Sequence, residues 1–179
     1  KPLSDDEIIS SLQSKYIKFL IFLNDYPQFK KYKKIIYLDH KVKTNSRIYQ
    51  EVETLINNNL NKSLIICKSP SLKTKIQHEI DAAMGQSRYV KNMDKTKSFI
   101  RKLLVSGEIS ENVRICSTGF LIYINRETIK NLLESVYNKC IEHEQPECQI
   151  YWSVFSQKYQ KDIKEIEWSD LGFDHIVPT

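Results

Sequence analysis

The chain has 179 residues, 41% hydrophobic and 27% charged, with a net charge of +5. Those proportions fit one globular domain spanning residues 1–179 with a single sizeable core, and they exclude a disordered or low-complexity chain. No apolar run approaches the ~20 residues that span a bilayer, and with only four Gly neither GxGxxG nor GxxxxGK[ST] occurs.

The positive charge comes from 22 Lys and 5 Arg, and it favours anionic partners such as nucleotides, nucleic acid or acidic glycans. Cys67, Cys116, Cys140 and Cys148 contain no CxxC pair, so they read as reduced core thiols, with zinc or disulfides as the alternatives. The chain does not begin with Met, which suggests a processed or excised piece. Its compartment is then cytoplasmic, or membrane-associated through a segment outside this sequence.

In chain order, Ser4-Asp5-Asp6-Glu7 has the spacing of a capping box with Ser4 as the cap. A helix should follow to about Phe22, with Ile8, Ile9, Leu12, Tyr16 and Phe19 on its apolar face. A loop over 24–34 carries the basic cluster Lys30, Lys31, Lys33 and Lys34. Then comes a strand, Ile35–Leu38. Ile48, Val52, Leu55 and Ile56 predict a helix over 47–59, and "SLIIC" at 63–67 predicts a second strand. Helices are expected over 71–84 and 94–105, and a third strand, "TGFLIYI", over 118–124. The clearest helix is 126–143, where Ile129, Leu132, Leu133, Val136, Tyr137, Cys140 and Ile141 recur at helical spacing until Pro146. A helix over 147–159 and a strand near 163–168 complete the pattern. Short continuous apolar strands separated by helices predict an α/β domain, a mostly parallel central sheet flanked by helices.

The first strand ends abruptly in Asp39, His40 and Lys41. Ligands of open α/β sheets bind outside the carboxyl ends of the strands. A carboxylate there can hold a divalent cation that in turn holds a diphosphate. In an extended run Lys41 would share the side of Asp39 and His40 would point the other way. The alternative is that Asp39 caps the strand exit and Lys41 is solvated.

These residues resemble a known pattern. "YKKIIYLDHKV" resembles the strand of GT-A-type glycosyltransferases that ends in the Asp-x-Asp metal motif, which some hexosyltransferase-like families carry as Asp-x-Lys. "HEIDAA" (78–83) resembles a helix-start segment of that family bearing a Glu. "CSTGFLIYINRETIKNLLESVYNKC" (116–140) resembles its Gly-containing strand and following helix. "PECQIYWSVFSQKY" (146–159) resembles the Arg-Asp-Gln segment near the acceptor site. The resemblance covers roughly residues 30 to 170. Two departures are plain: Lys41 stands for the second Asp, and Cys148 for the Asp before Gln149. The βαβ unit with which GT-A enzymes begin is not legible ahead of Ile35, so the resemblance implies a GT-A-like, Rossmann-like fold truncated at its N-terminus.

The implied activity is transfer of a hexose from a nucleotide-sugar donor to a hydroxyl of a glycan or glycoconjugate, with Mn²⁺ or Mg²⁺ as cofactor. Asp39 would bind the metal or the ribose, with His175, in "LGFDHI", as a late metal ligand competing with Asp174. Lys41 and Tyr37 would contact the donor, and Glu79 and Gln149 the acceptor hydroxyls. Trp152 offers a ring on which a sugar can stack, or packs in the core. HExxH fails because residue 82 is Ala. Two other readings compete. One is a catalytically inactive glycan- or nucleotide-binding module of the same fold. The other is a basic nucleic-acid-binding domain using Lys30–Lys34 with Tyr26, Phe29 and Tyr32, against which stand the few Arg and the lack of any finger or RNP signature.

Overall fold

Two apolar runs that alternate between faces become the middle of a four-stranded sheet. A computed structural model of the chain describes residues 4–24, 26–40, 42, 47–71 and 73–171. The strands are β1 (Ile35–Leu38), β2 (Leu64–Lys68), β3 (Cys116–Tyr123) and β4 (Ile163–Ile166), in the order β1-β3-β2-β4. β3 is antiparallel to both β1 and β2, while β2 and β4 are parallel. The domain is therefore α/β, but the sheet is mixed and not mostly parallel. The apolar runs could not report this, because a central antiparallel strand covered on both faces is as uniformly apolar as a parallel one.

Nine α-helices are present among the described residues: α1 (Glu7–Phe19), α2 (Ile21–Asn24), α3 (Pro27–Lys30), α4 (Ile48–Asn58), α5 (Ile76–Ala83), α6 (Ser87–Val90), α7 (Met93–Val105), α8 (Arg126–Glu142) and α9 (Cys148–Phe155). On one face of the sheet, Leu64, Ile66, Leu121 and Tyr123 pack with Leu12 and Phe19 of α1, Leu132 and Val136 of α8, and Tyr151 and Trp152 of α9. On the other face, Ile65, Cys67, Phe120 and Ile122 pack with Ile48, Val52 and Ile56 of α4 and with Trp168. The period-2 alternation of β2 and β3 thus fills two cores. A third cluster joins Ile76 and Ile80 of α5 and Ile100 of α7 to Ile150 and Val154 of α9.

Several expected boundaries shift for local reasons. The cap of α1 is Asp6, whose carboxylate accepts from the backbone N–H groups of Ile8 and Ile9 at 2.8 and 3.0 Å; Ser4 instead accepts from Asp6 N–H. Ile9 is 48% exposed and so lies off the buried face. The helix expected over 71–84 starts at Ile76. The preceding residues run beside 111–115, with Val113 N–H donating to the Thr74 carbonyl and Ile115 N–H to that of Lys73. The loop expected over 24–34 includes the single turn of α3. No helix among the described residues is long and apolar enough to cross a membrane.

Candidate ligand site

Because β3 runs opposite to its neighbours, the carboxyl ends of β1, β2 and β4 meet the start of β3 along one rim. Asp39 follows β1, Ser69 follows β2, and Thr118 and Gly119 belong to the first half of β3. A cavity of about 610 Å³ opens at this rim. Its walls come from the polar stripe of α1 (Ser11, Ser14, Lys15, Lys18), from α5 through Glu79 and from the first turn of α9 through Cys148 and Gln149. That volume falls in the range of ~300–1,000 Å³ usual for small-molecule sites.

Asp39 is positioned by its backbone. Its N–H donates to the Gly119 carbonyl at 2.8 Å, and Val42 N–H donates back to the Asp39 carbonyl at 2.9 Å, turning the chain immediately after β1. That turn corrects the expectation for His40. Strand alternation stops at Leu38, so His40 also lines the cavity, with Nδ1 2.9 Å from Asp39 Oδ1. Tyr37 lines the same wall half-buried, and burial, with Asp39 nearby, pushes its hydroxyl up to about 12.

Glu79 and Gln149 meet. Gln149 Nε2 donates to Glu79 Oε1 at 2.7 Å, and Lys73 Nζ donates to the other carboxylate oxygen at 2.7 Å. The Gln149 carbonyl oxygen accepts from Thr118 N–H at 3.3 Å, so one amide ties α5, α9 and β3 together. Glu79 is 3% exposed, and these two donors are what make a carboxylate tolerable there. Beside it, Glu147 caps α9 by accepting from Gln149 N–H at 3.1 Å. Removal from water, and then the neighbouring charge of Glu79, push the Glu147 carboxyl above the usual range.

Lys18 sits behind Thr118. Its ammonium lies 3.3 Å from Thr118 Oγ1, 3.9 Å from Cys148 Sγ and 5.1 Å from the centre of the Tyr37 ring. The sequence reading missed it, along with Lys15, Lys73, Thr118, Arg88 and Glu147. A signal existed on α1: Ser11, Ser14, Lys15 and Lys18 recur at helical spacing beside the apolar stripe.

Among the residues expected from sequence, Asp39, Tyr37, Glu79 and Gln149 line one cavity. Trp152 does not. It is 1% exposed and stacks on Phe19 at 6.4 Å in the core, which corrects the sugar-stacking expectation. Lys41, Asp174 and His175 lie outside the described residues. All four cysteines are free and buried. Among the described residues no three His, Cys, Asp or Glu side chains form a group that could hold a metal ion. No family model, no curated protein and no solved structure matches the chain.

Proposed function

We propose that this domain is a glycosyltransferase that holds a nucleotide-sugar in the cavity at the carboxyl ends of β1, β2 and β4 and transfers its hexose to a hydroxyl acceptor. The single observation that carries the reading is convergence. Asp39, Glu79 and Gln149 lie in three separate motifs of the chain, and all three line one cavity, two of them in direct contact at 2.7 Å.

In this reading Asp39 and Tyr37 face the donor, and Glu79 and Gln149 face the acceptor's hydroxyls. The acceptor oxygen forms a bond to the anomeric carbon as the bond to the diphosphate oxygen breaks, the electron pair leaves with the diphosphate, and the hydroxyl proton passes to solvent water. The charge that develops on the departing diphosphate needs fixed positive groups around it, and Lys15, Lys18, Lys73 and Arg88 all line the cavity. A binding module without turnover is the second reading. It is favoured by one observation: Glu79 already accepts from Lys73 and Gln149, so its carboxylate is partly committed to holding the walls together.

Two measurements on the purified chain separate these readings. Nucleotide-sugars of the UDP and GDP series, tested with and without Mn²⁺, should raise the melting temperature. An enzyme should also release free UDP or GDP when a glycan acceptor is supplied, whereas a binding module should show the thermal shift alone. Absence of any shift across the donor series at millimolar concentration would overturn both.

A further inference from the structure

A lysine ammonium that is almost wholly withdrawn from water normally sits against a carboxylate. Lys18 is 3% exposed and lines the cavity, yet no Asp or Glu oxygen lies within ion-pair distance of it among the described residues. Its partners are a hydroxyl (Thr118), a thiol (Cys148) and the faces of Tyr37 and Phe19. The hydroxyl and the two rings carry no full charge, and none of the four partners is a carboxylate. Together they remove water and orient the ammonium.

The other charges at the site leave the deficit standing. Lys73 is matched by Glu79, and Asp39, 2.9 Å from His40 Nδ1, has no oxygen within ion-pair distance of Lys18 among the described residues. Glu147, whose carboxyl burial and Glu79 raise, feels the positive field of Lys15 and Lys18, but none of its oxygens lies within ion-pair distance of either lysine among the described residues. Lys15, one turn before Lys18, and Arg88, whose guanidinium meets the side chains of Gln86 and Tyr89, add positive charge with no carboxylate in ion-pair contact among the described residues. An anion in the cavity would complete this arrangement, and a diphosphate suits a buried cation reinforced by a second cation one turn away.

We propose that Lys18, oriented by Thr118 and supported by Lys15, is the fixed counter-ion of a diphosphate in this cavity, and that it holds that group without requiring a metal. The identity of the diphosphate as part of a nucleotide-sugar rests on the function proposed above; the cation's role does not.

The test uses the whole chain in EDTA, with inorganic pyrophosphate and UDP as probes. Both should raise the melting temperature of the wild type. Lys18→Met should weaken each by about tenfold to a hundredfold, the size expected for losing a charged hydrogen bond. The same variant should melt about 2 °C or more higher than wild type with no ligand present, because an uncompensated buried charge has been removed. A lysine serving only to hold the fold would give the opposite sign. Thr118→Val, which keeps the ammonium but loosens it, should weaken both probes several-fold. If pyrophosphate binds in this Lys18-dependent way and no nucleotide-sugar does, the counter-ion stands and the glycosyltransferase reading falls. If a nucleotide-sugar is turned over and Lys18→Met binds UDP as wild type does, the counter-ion falls and the enzyme stands. Wild-type binding of the probes only after Mn²⁺ is added also overturns the inference.

Discussion

Gln149 reaches across 70 residues of chain to donate its side-chain amide to Glu79 at 2.7 Å, and the same amide accepts from Thr118 N–H. This contact fixes the start of α9 against both α5 and β3. Replacing Gln149 by Leu leaves Glu79 with Lys73 as its one remaining described donor and leaves the Thr118 N–H short of a partner. Losing one bond to a buried carboxylate costs about 1–3 kcal/mol. At this chain length that lowers the melting temperature by roughly 2–10 °C. A double-mutant cycle with Glu79→Gln should return a coupling of about 0.5–3 kcal/mol. Strict additivity would show that the contact does not bear on stability.

Asp39 differs in kind, because it sits at the rim on a backbone turn and not inside a packed wall. Asp39→Asn keeps the shape and the turn, so the change in stability should stay within about 0.5 kcal/mol. Nucleotide-sugar turnover should fall by about 100-fold, the scale of losing one group that positions the donor. Wild-type turnover in the variant would remove Asp39 from the site.

What could be read in advance follows from which forces act locally. The helices 126–143 and 47–59 and the two longer strands announced themselves because an apolar stripe is a local property of sequence. Strand direction was illegible, because β2 and β3 are covered on both faces and carry no alternation that could betray an antiparallel neighbour. At the site, Asp39 and Gln149 stood out through motif context. Lys18 looked like any solvated helix lysine, since its burial depends on β3 and α9 closing over it about 100 and 130 residues later in the chain. The start of α5 moved for a similar reason. Residues 73–75 find backbone partners at 111–115 that no local rule reveals.

Trp152 offers a clean separation of core from site. Its ring is stacked on Phe19 among residues of α1, β3 and α8, so Trp152→Ala should cost about 3–5 kcal/mol. Trp152→Phe keeps much of the packing and should cost less. Because the ring does not line the cavity, the Phe variant should retain donor affinity within about twofold of wild type by titration calorimetry, which corresponds to only ~0.4 kcal/mol. A large loss of affinity at unchanged melting temperature would reinstate a sugar-stacking role.

His143, which does not line the cavity, should make the fold sensitive to acid. It is 8% exposed at the end of α8, with Nδ1 3.0 Å from the Tyr151 hydroxyl and its ring edge-on to Phe99. The Tyr151 hydroxyl also meets Thr96 Oγ1 at 2.7 Å, so the imidazole closes a buried polar chain between α7, α8 and α9. Burial is the main force lowering its proton affinity. Lys139 and Lys95 push the same way, and Glu142 opposes them. In the unfolded chain the imidazole titrates near ~6.5, so between that value and the lower folded one the unfolded state binds a proton that the native state refuses. The stability contributed by the neutral ring is therefore complete above about pH 6.5 and is lost as pH falls through the folded value. Glu147, whose carboxyl is raised, works in the opposite sense and loses stability as pH rises. Comparing wild type with His143→Gln cancels that second effect, since both proteins contain Glu147. Melting temperatures measured from pH 7.5 down to 5 should decline more steeply for the wild type than for the variant, which keeps an amide near Tyr151 but cannot titrate. Parallel curves would show that His143 takes up its proton equally in both states, and the burial of its ring would then carry no pH dependence.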